Sequence, residues 1–225
     1  MKPLISVTDL LILGLTLAVV IILLTKKGVE VGFDLYGTSN ADTLVGDAGD
    51  NLLWGGAGAD IIDGGDGIDT VDYRGSKSGV QINLRDNSAY GGDATGDSIS
   101  NIENIFGSDH DDLLTGDRGN NVLSGNAGAD ILDGQGGNDR LKGGEGKDVF
   151  IFHPGHRRTD AIIGFVSGED RIDLAGFDGL SFNDLAISAE GDHSVIDLSG
   201  NDGSRIILRR FNPSHLDAAD FVFAR

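Results

Sequence analysis

Nine side chains that carry a carboxylate or an amide recur at intervals of nine residues in two blocks of this sequence. They are Asp42, Asn51, Asp60, Asp69, Asp112, Asn121, Asp130, Asp139 and Asp148. Oxygen donors of this kind are the ligands that hard divalent cations prefer in proteins. The sequence has no cysteine, which excludes thiolate zinc sites. The spacing therefore indicates binding of a hard cation rather than a catalytic site.

Each of these side chains is the sixth residue of a nine-residue unit. The units run from 37 to 72 and from 107 to 151, and glycine opens each unit and usually recurs at its fourth position. Glycine accepts positive φ angles and allows another backbone to approach closely, so it suits a tight turn. The eighth residue is always apolar and is expected to face a shared core: Leu44, Leu53, Ile62, Val71, Leu114, Leu123, Leu132, Leu141 and Phe150.

These units resemble the repeats-in-toxin (RTX) nonapeptide, Gly-Gly-x-Gly-x-Asp-x-(apolar)-x, which forms a calcium-binding parallel β-solenoid. The resemblance implies an all-β fold, a parallel β-roll in two blocks, in which two units make one coil. Turns on the same edge are then two units apart, and calcium lies between their position-six side chains. The implied pairs are Asp42 with Asp60, Asn51 with Asp69, Asp112 with Asp130, Asn121 with Asp139, and Asp130 with Asp148.

The resemblance thus implies about five calcium ions, each also held by backbone carbonyls of the glycine-rich turns. The glycines expected to take part are Gly58, Gly67, Gly119, Gly128, Gly137 and Gly146. The alternative is a metal-free solenoid whose aspartates merely favour turns. Stacked carboxylates without cations would repel one another, and the formal net charge is already −19. We therefore expect the repeats to be disordered at cytosolic calcium and to fold at millimolar calcium outside the cell.

Residues 73–106 interrupt the nine-residue count and are predicted to be a β insert between the first block, 31–72, and the second, 107–152. Val80, Ile82 and Leu84 alternate with polar residues, which is typical of a half-buried strand. Residues 91–97 are predicted to be a loop, after which Ile99, Ile102 and Ile105 return to the core. The acidic residues of this insert form either an additional calcium site or, as we favour, solvated loop carboxylates: Asp93, Asp97 and Glu103.

Residues 153–225 are predicted to be a C-terminal β cap. The segment 159–177 resembles the C-terminal region of serralysin-type secreted proteases, which caps the roll and carries a type I export signal. Gly164 stands where that family usually has aspartate. Strands are expected around 194–198 and 205–208. The final segment, 217–225, is either an export tail or an ordinary edge strand.

The N-terminal segment, 1–30, is predicted to be an anchor and linker. Residues 10–24 carry no charge, and a helix over 7–24 would span about 27 Å, enough to cross a thin bilayer. A cleavable signal peptide or a helix buried in an assembly are the alternatives. The segment could accordingly contact a lipid bilayer, partner helices in a protein complex, or other copies of the chain, with the acidic repeats outside the cytoplasm.

The sequence offers no motif typical of an enzyme. The His-Glu-x-x-His sequence of the related proteases is absent, and the five histidines are scattered over repeats and loops. The acidic composition also argues against a nucleic-acid partner. We therefore expect a non-enzymatic calcium-binding protein of the cell surface, periplasm or medium, with a structural or adhesive role. The alternatives are an accessory subunit of a membrane complex with the roll as its cap, and an export carrier for an enzyme.

Overall fold

The computed structural model describes residues 32–155, 157–198, 200 and 203–224 and consists of two ten-stranded sheets. Sheet A contains, in spatial order, β1 (Asp34–Tyr36), β3 (Leu52–Trp54), β5 (Thr70–Asp72), β9 (Asn104–Phe106), β11 (Val122–Ala127), β13 (Arg140–Glu145), β15 (Thr159–Ile163), β19 (Ser204–Arg209), β18 (His193–Leu198) and β17 (Ala186–Glu190). Sheet B contains β2 (Thr43–Val45), β4 (Ile61–Asp63), β8 (Ser98–Ser100), β7 (Ser88–Tyr90), β6 (Gln81–Asn83), β10 (Leu113–Thr115), β12 (Ile131–Asp133), β14 (Val149–Ile151), β16 (Arg171–Asp173) and β20 (Phe221–Val222).

No α-helix occurs in these described ranges, and the helical turns within them are of the 3₁₀ type. They are Gly92–Ala94, Phe182–Asp184, Pro213–His215 and Ala218–Asp220. The expected all-β fold with parallel sheets is therefore confirmed.

Parallel pairing in the blocks follows the predicted shift of two units. Leu44 lies opposite Ile62 in sheet B, and Leu53 lies opposite Val71 in sheet A. All nine position-eight side chains are at most 1% exposed and belong to one hydrophobic cluster that draws on both sheets. The three-residue strands are short because only the middle residue of each must point inward, which matches the alternation of side chains along a strand.

The insert does not leave the roll. β8 pairs with β4 and β9 pairs with β5, each in parallel, so the chain returns to both sheets after the count of nine is lost. Before β8, the chain forms an antiparallel hairpin of β6 and β7, which lies between β8 and β10 in sheet B. Val80, Ile82, Leu84, Ile99, Ile102 and Ile105 are all buried, as expected.

The C-terminal segment continues both sheets and then closes them. β15 and β16 add parallel strands to sheets A and B, and β17, β18 and β19 form an antiparallel meander at the end of sheet A. The strands expected around 194–198 and 205–208 are present as β18 and β19. β20 is the terminal strand of sheet B, so residues 221–222 do form an edge strand.

The anchor helix predicted over 7–24 lies outside the described residues. Within the described part of the chain, no helix is long and apolar enough to cross a membrane.

Candidate metal sites

The position-six side chains form two columns, one on each edge of the roll. We call the turns that lead into sheet B the first edge and those that lead into sheet A the second edge. Asp42, Asp60, Asp112, Asp130 and Asp148 lie on the first edge, and Asn51, Asp69, Asn121 and Asp139 lie on the second.

Each of the five expected pairs is joined by the same hydrogen bond. The backbone N–H of the earlier residue donates to the Oδ1 atom of the aspartate two units later. The donor–acceptor distances are 2.8 Å for Asp42 to Asp60, 2.7 Å for Asn51 to Asp69, 2.9 Å for Asp112 to Asp130, 2.9 Å for Asn121 to Asp139, and 3.0 Å for Asp130 to Asp148. The structure therefore brings together the side chains that the sequence paired, and it fixes one oxygen of each later carboxylate.

The second oxygen of these carboxylates has no partner. It is buried and accepts no hydrogen bond in Asp60, Asp69, Asp130, Asp139 and Asp148, and the same holds for Oδ1 of Asp42. A buried carboxylate oxygen without a donor costs about 1–3 kcal/mol or more, because the water it loses is not replaced. Each such atom receives no hydrogen bond from the described residues, and a cation, a proton or a buried water would have to compensate for it.

In the turns beside these oxygens, glycines lie very close to backbone carbonyls of a neighbouring coil. Gly58, Gly128 and Gly146 have φ angles of 141°, 126° and 130°, a region that other residues rarely adopt. A Cβ atom at Gly146 would overlap the carbonyl of Gly128 in the coil below, and one at Gly58 would overlap that of Asn40. Gly67 and Gly137 also have a positive φ angle and a backbone carbonyl of another coil close to the position of a Cβ atom. Gly119 does not have a positive φ angle.

The donor set therefore fits calcium. Among the described residues, no three His, Asp or Glu side chains form a group that could hold a metal ion, and each expected pair supplies at most two carboxylates. Calcium takes six to eight oxygens and accepts backbone carbonyls readily. The carboxylates of two coils and the carbonyls of the intervening glycine-rich turns supply that kind of donor.

Burial raises the pKa of four carboxyls in the columns. The pKa reaches about 6 in Asp60 and Asp69, about 7 in Asp130 and about 8 in Asp139. Loss of solvation is the largest cause in each, and neighbouring carboxylates add to it. These carboxyls therefore ionise less readily than exposed aspartates, and a nearby positive charge would favour their ionised form.

The two asparagines of the second edge form hydrogen bonds that the column carboxylates do not form. The Nδ2 atom of Asn51 donates to the carbonyl of Phe33 at 3.0 Å, and that of Asn121 donates to the carbonyl of Glu103 at 2.8 Å. Their Oδ1 atoms accept from backbone N–H groups within the same turn. An amide at this position donates one hydrogen bond and accepts another without a cation, whereas a carboxylate can only accept.

Four acidic residues that the sequence analysis left out of the columns belong to them. Asp97 accepts from the N–H of Asp60 at 2.9 Å and Asp170 from that of Asp148 at 3.1 Å, both on the first edge. On the second edge, Glu103 accepts from Asp69 at 2.7 Å and Asp160 from Asp139 at 2.9 Å.

Our favoured view of the insert as solvated carboxylates is thus wrong for Asp97 and Glu103, because each is hydrogen-bonded into a column. Asp97 is buried and also accepts from the Tyr73 hydroxyl at 2.9 Å. The alternative of one site built from Asp93, Asp97 and Glu103 is not formed either, since Asp97 and Glu103 lie on opposite edges. A local signal was available: all four added residues begin an acidic-x-apolar triplet, as in Asp97-Ser98-Ile99.

Comparison with known families agrees with this geometry. The model of the RTX calcium-binding nonapeptide repeat matches residues 36–71, 106–141 and 124–156. The two blocks are RTX calcium-binding repeats. The serralysin-like character of the segment that follows the RTX blocks stays a prediction.

Three solved structures resemble the chain at a low level. Extracellular lipase LipA from Serratia marcescens is 21% identical over 87% of this chain and 40% of the lipase chain, with a TM-score of 0.37. The R3 and R2 subunits of the mannuronan C5-epimerase AlgE6 from Azotobacter vinelandii are each 23% identical, with TM-scores of 0.36. The alignments cover 86% of this chain and 83% of R3, and 66% of this chain and 88% of R2. This chain spans less than half of the lipase, and curated proteins gave no match.

Proposed function

We propose that this chain is a non-enzymatic RTX protein whose roll folds on extracytoplasmic calcium and serves a structural or adhesive role. The observation that carries the proposal is the set of buried, unpartnered carboxylate oxygens on successive coils. Six such atoms in a protein with a net charge of −19 would destabilise the folded state if nothing neutralised them. Calcium is the hard cation that is abundant outside cells.

The residues proposed to hold calcium are the five pairs of position-six side chains, with carbonyls of the glycine-rich turns completing each site. When bound, calcium supplies positive charge and links oxygens of successive coils. In the folded chain, a backbone hydrogen bond orients each pair. The hydrogen bond from the earlier backbone N–H to Oδ1 fixes the carboxylate orientation, so the other oxygen, Oδ2, is left free for the ion.

A structural role agrees with the way in which ion binding and folding are linked. Each repeat buries one apolar side chain, worth about 1.5–3 kcal/mol, against the cost of ordering nine residues at about 1–2 kcal/mol each. There is no disulfide that could restrain the unfolded chain, because the sequence has no cysteine. Ion binding then becomes part of the folding free energy. Such a protein is unfolded where calcium is scarce and rigid where it is plentiful.

The proposed location is outside the cytoplasm, with residues 7–24 as a membrane tether. The support is the chemistry of the roll, which needs calcium at a concentration that the cytosol does not offer. The tether is proposed from the sequence alone.

Calcium titration of the full chain tests the proposal. Far-UV circular dichroism should show little β-structure in excess chelator and a cooperative gain as calcium approaches millimolar concentration. Isothermal titration should count about five ions per chain. Magnesium at the same ionic strength is the control, because it demands octahedral geometry and keeps its waters. Full β-structure in chelator, or an equal response to magnesium, would show that the roll does not depend on calcium.

A further inference from the structure

Arg158 is the one basic side chain that is buried among the residues that the structure describes. It is 4% exposed, whereas Arg140 and Arg171 on neighbouring strands are exposed. A guanidinium is always charged, so its burial requires partners that compensate for the lost water. It lies two residues before Asp160, at the last turn of the second edge.

The partners of Arg158 are a carboxylate and two backbone carbonyls. Its Nε atom lies 3.0 Å from Oδ2 of Asp160, an ion pair without the alignment of a good hydrogen bond. Nη1 donates to the carbonyl of Gln135, and Nη2 donates to that of His153 at 3.1 Å. Gln135 is the second residue of the unit that contains Asp139, so the guanidinium joins one coil to the next.

Carboxylates and backbone carbonyls are also the expected ligands at each calcium site. The contacts of Oδ2 distinguish the Asp160 turn from those sites. Asp160 accepts from the N–H of Asp139 through Oδ1, as the other column carboxylates do. Its Oδ2, however, is paired with Arg158, so that only Oδ2 of Asp139 lacks a partner in this pair, whereas on the first edge Oδ2 of both Asp130 and Asp148 has none. The positive charge of Arg158 favours the ionised forms of both Asp139 and Asp160.

We infer that the guanidinium of Arg158 takes the place of a calcium ion between Asp139 and Asp160. The last turn of the second edge is then neutralised by the chain itself, and it is not a calcium site. This inference rests on the proposed calcium binding of the other turns. Arg158 then limits the number of ions that the roll binds, and it ends the series of calcium sites on the second edge.

The test locates and counts the ions. Crystals of the full chain grown in calcium should show anomalous scattering peaks between paired carboxylates of the RTX blocks and none between Asp139 and Asp160. In native mass spectrometry with calcium, Arg158→Gln should bind one more ion than the wild type, because removal of the charge frees Asp160 and two carbonyls. The matched control Arg140→Gln alters an exposed arginine on a neighbouring strand and should leave the count unchanged.

The outcomes separate this inference from the proposed function. A calcium peak between Asp139 and Asp160 in the wild type would overturn the inference and leave calcium binding intact. A folded Arg158→Gln protein with the wild-type ion count would also overturn it. Absence of peaks at every turn would refute the proposed function itself. If Arg158→Gln does not fold, the wild-type map alone decides.

Discussion

Asp130 is the carboxylate that two of the expected calcium sites share. Its Oδ1 atom accepts from the N–H of Asp112 at 2.9 Å, and its own N–H donates to Oδ1 of Asp148 at 3.0 Å. Its Oδ2 atom is buried without a partner. The substitution Asp130→Asn keeps the acceptor and the volume but removes the charge, so it isolates the contribution of the carboxylate to ion binding.

The expected effect has opposite signs with and without calcium. A contact to a charged group is worth about 1.5–3 kcal/mol, so calcium affinity at each of the two sites should fall about 10- to 100-fold. In chelator, the charges of Asp112 and Asp148 repel that of Asp130, and both raise its pKa. Removing the middle charge should therefore leave the small folded fraction in chelator at pH 8 unchanged or increase it.

Isothermal titration and thermal unfolding in calcium measure the loss of affinity, and far-UV circular dichroism in chelator measures the folded fraction without calcium. Asp109→Asn is the matched control, because Asp109 is an exposed aspartate in the same block that lies outside the columns. It should change neither the affinity nor the melting temperature beyond the small effect of one surface charge. If Asp130→Asn lowered stability equally in both conditions, the side chain would be a packing element, and our account of the columns would be refuted.

Three further outcomes follow from the same geometry. Gly146→Ala should destabilise the calcium-bound protein more than Gly168→Ala, because both residues have positive φ but only the former Cβ would meet backbone; denaturant unfolding measures the difference. Tyr73→Phe leaves Asp97 without its buried hydroxyl donor and should cost about 1–3 kcal/mol in calcium, against no loss for the exposed Tyr90→Phe. Folding raises the pKa of four column carboxyls to between about 6 and about 8. Since their unfolded value is about 4, the chelated protein should show more β-structure by circular dichroism at pH 5 than at pH 8. In calcium the folded protein should instead melt at a lower temperature at pH 5 than at pH 8, because protons compete with the ion. The same trend with pH in both conditions would contradict this reasoning.

The parallel register of the roll could be predicted because the units resemble the RTX nonapeptide, and this resemblance implies two units per coil. Position-eight residues recur every nine positions, so that coil length places every second one on the same sheet. Leu114 opposite Leu132 and Leu132 opposite Phe150 are direct results of that spacing. The carboxylate columns follow for the same reason, since position six lies two residues before position eight on every coil.

The boundaries of the columns could not be predicted from the count of nine. Asp97 and Glu103 lie 37 and 34 residues after their partners, and Asp160 lies 21 residues after Asp139. Insertions in the turns break the count, but they do not break the hydrogen bond from backbone N–H to carboxylate that aligns one coil on the next. The constraint is local to the triplet of acidic residue, strand residue and core residue, so a search for the period alone misses it.

The two edges of the roll differ in how their negative charge is compensated. The first edge has unpartnered carboxylate oxygens at Asp42, Asp60, Asp130 and Asp148, whereas the second edge has them only at Asp69 and Asp139 among the described residues. The second edge replaces two of its carboxylates with Asn51 and Asn121, whose amides donate to carbonyls of the preceding coil, and it ends at the cation of Arg158. Amide donors and a fixed charge thus supply on the second edge part of the compensation that a bound ion would supply on the first. We therefore expect the requirement for calcium to fall more heavily on the turns that lead into sheet B.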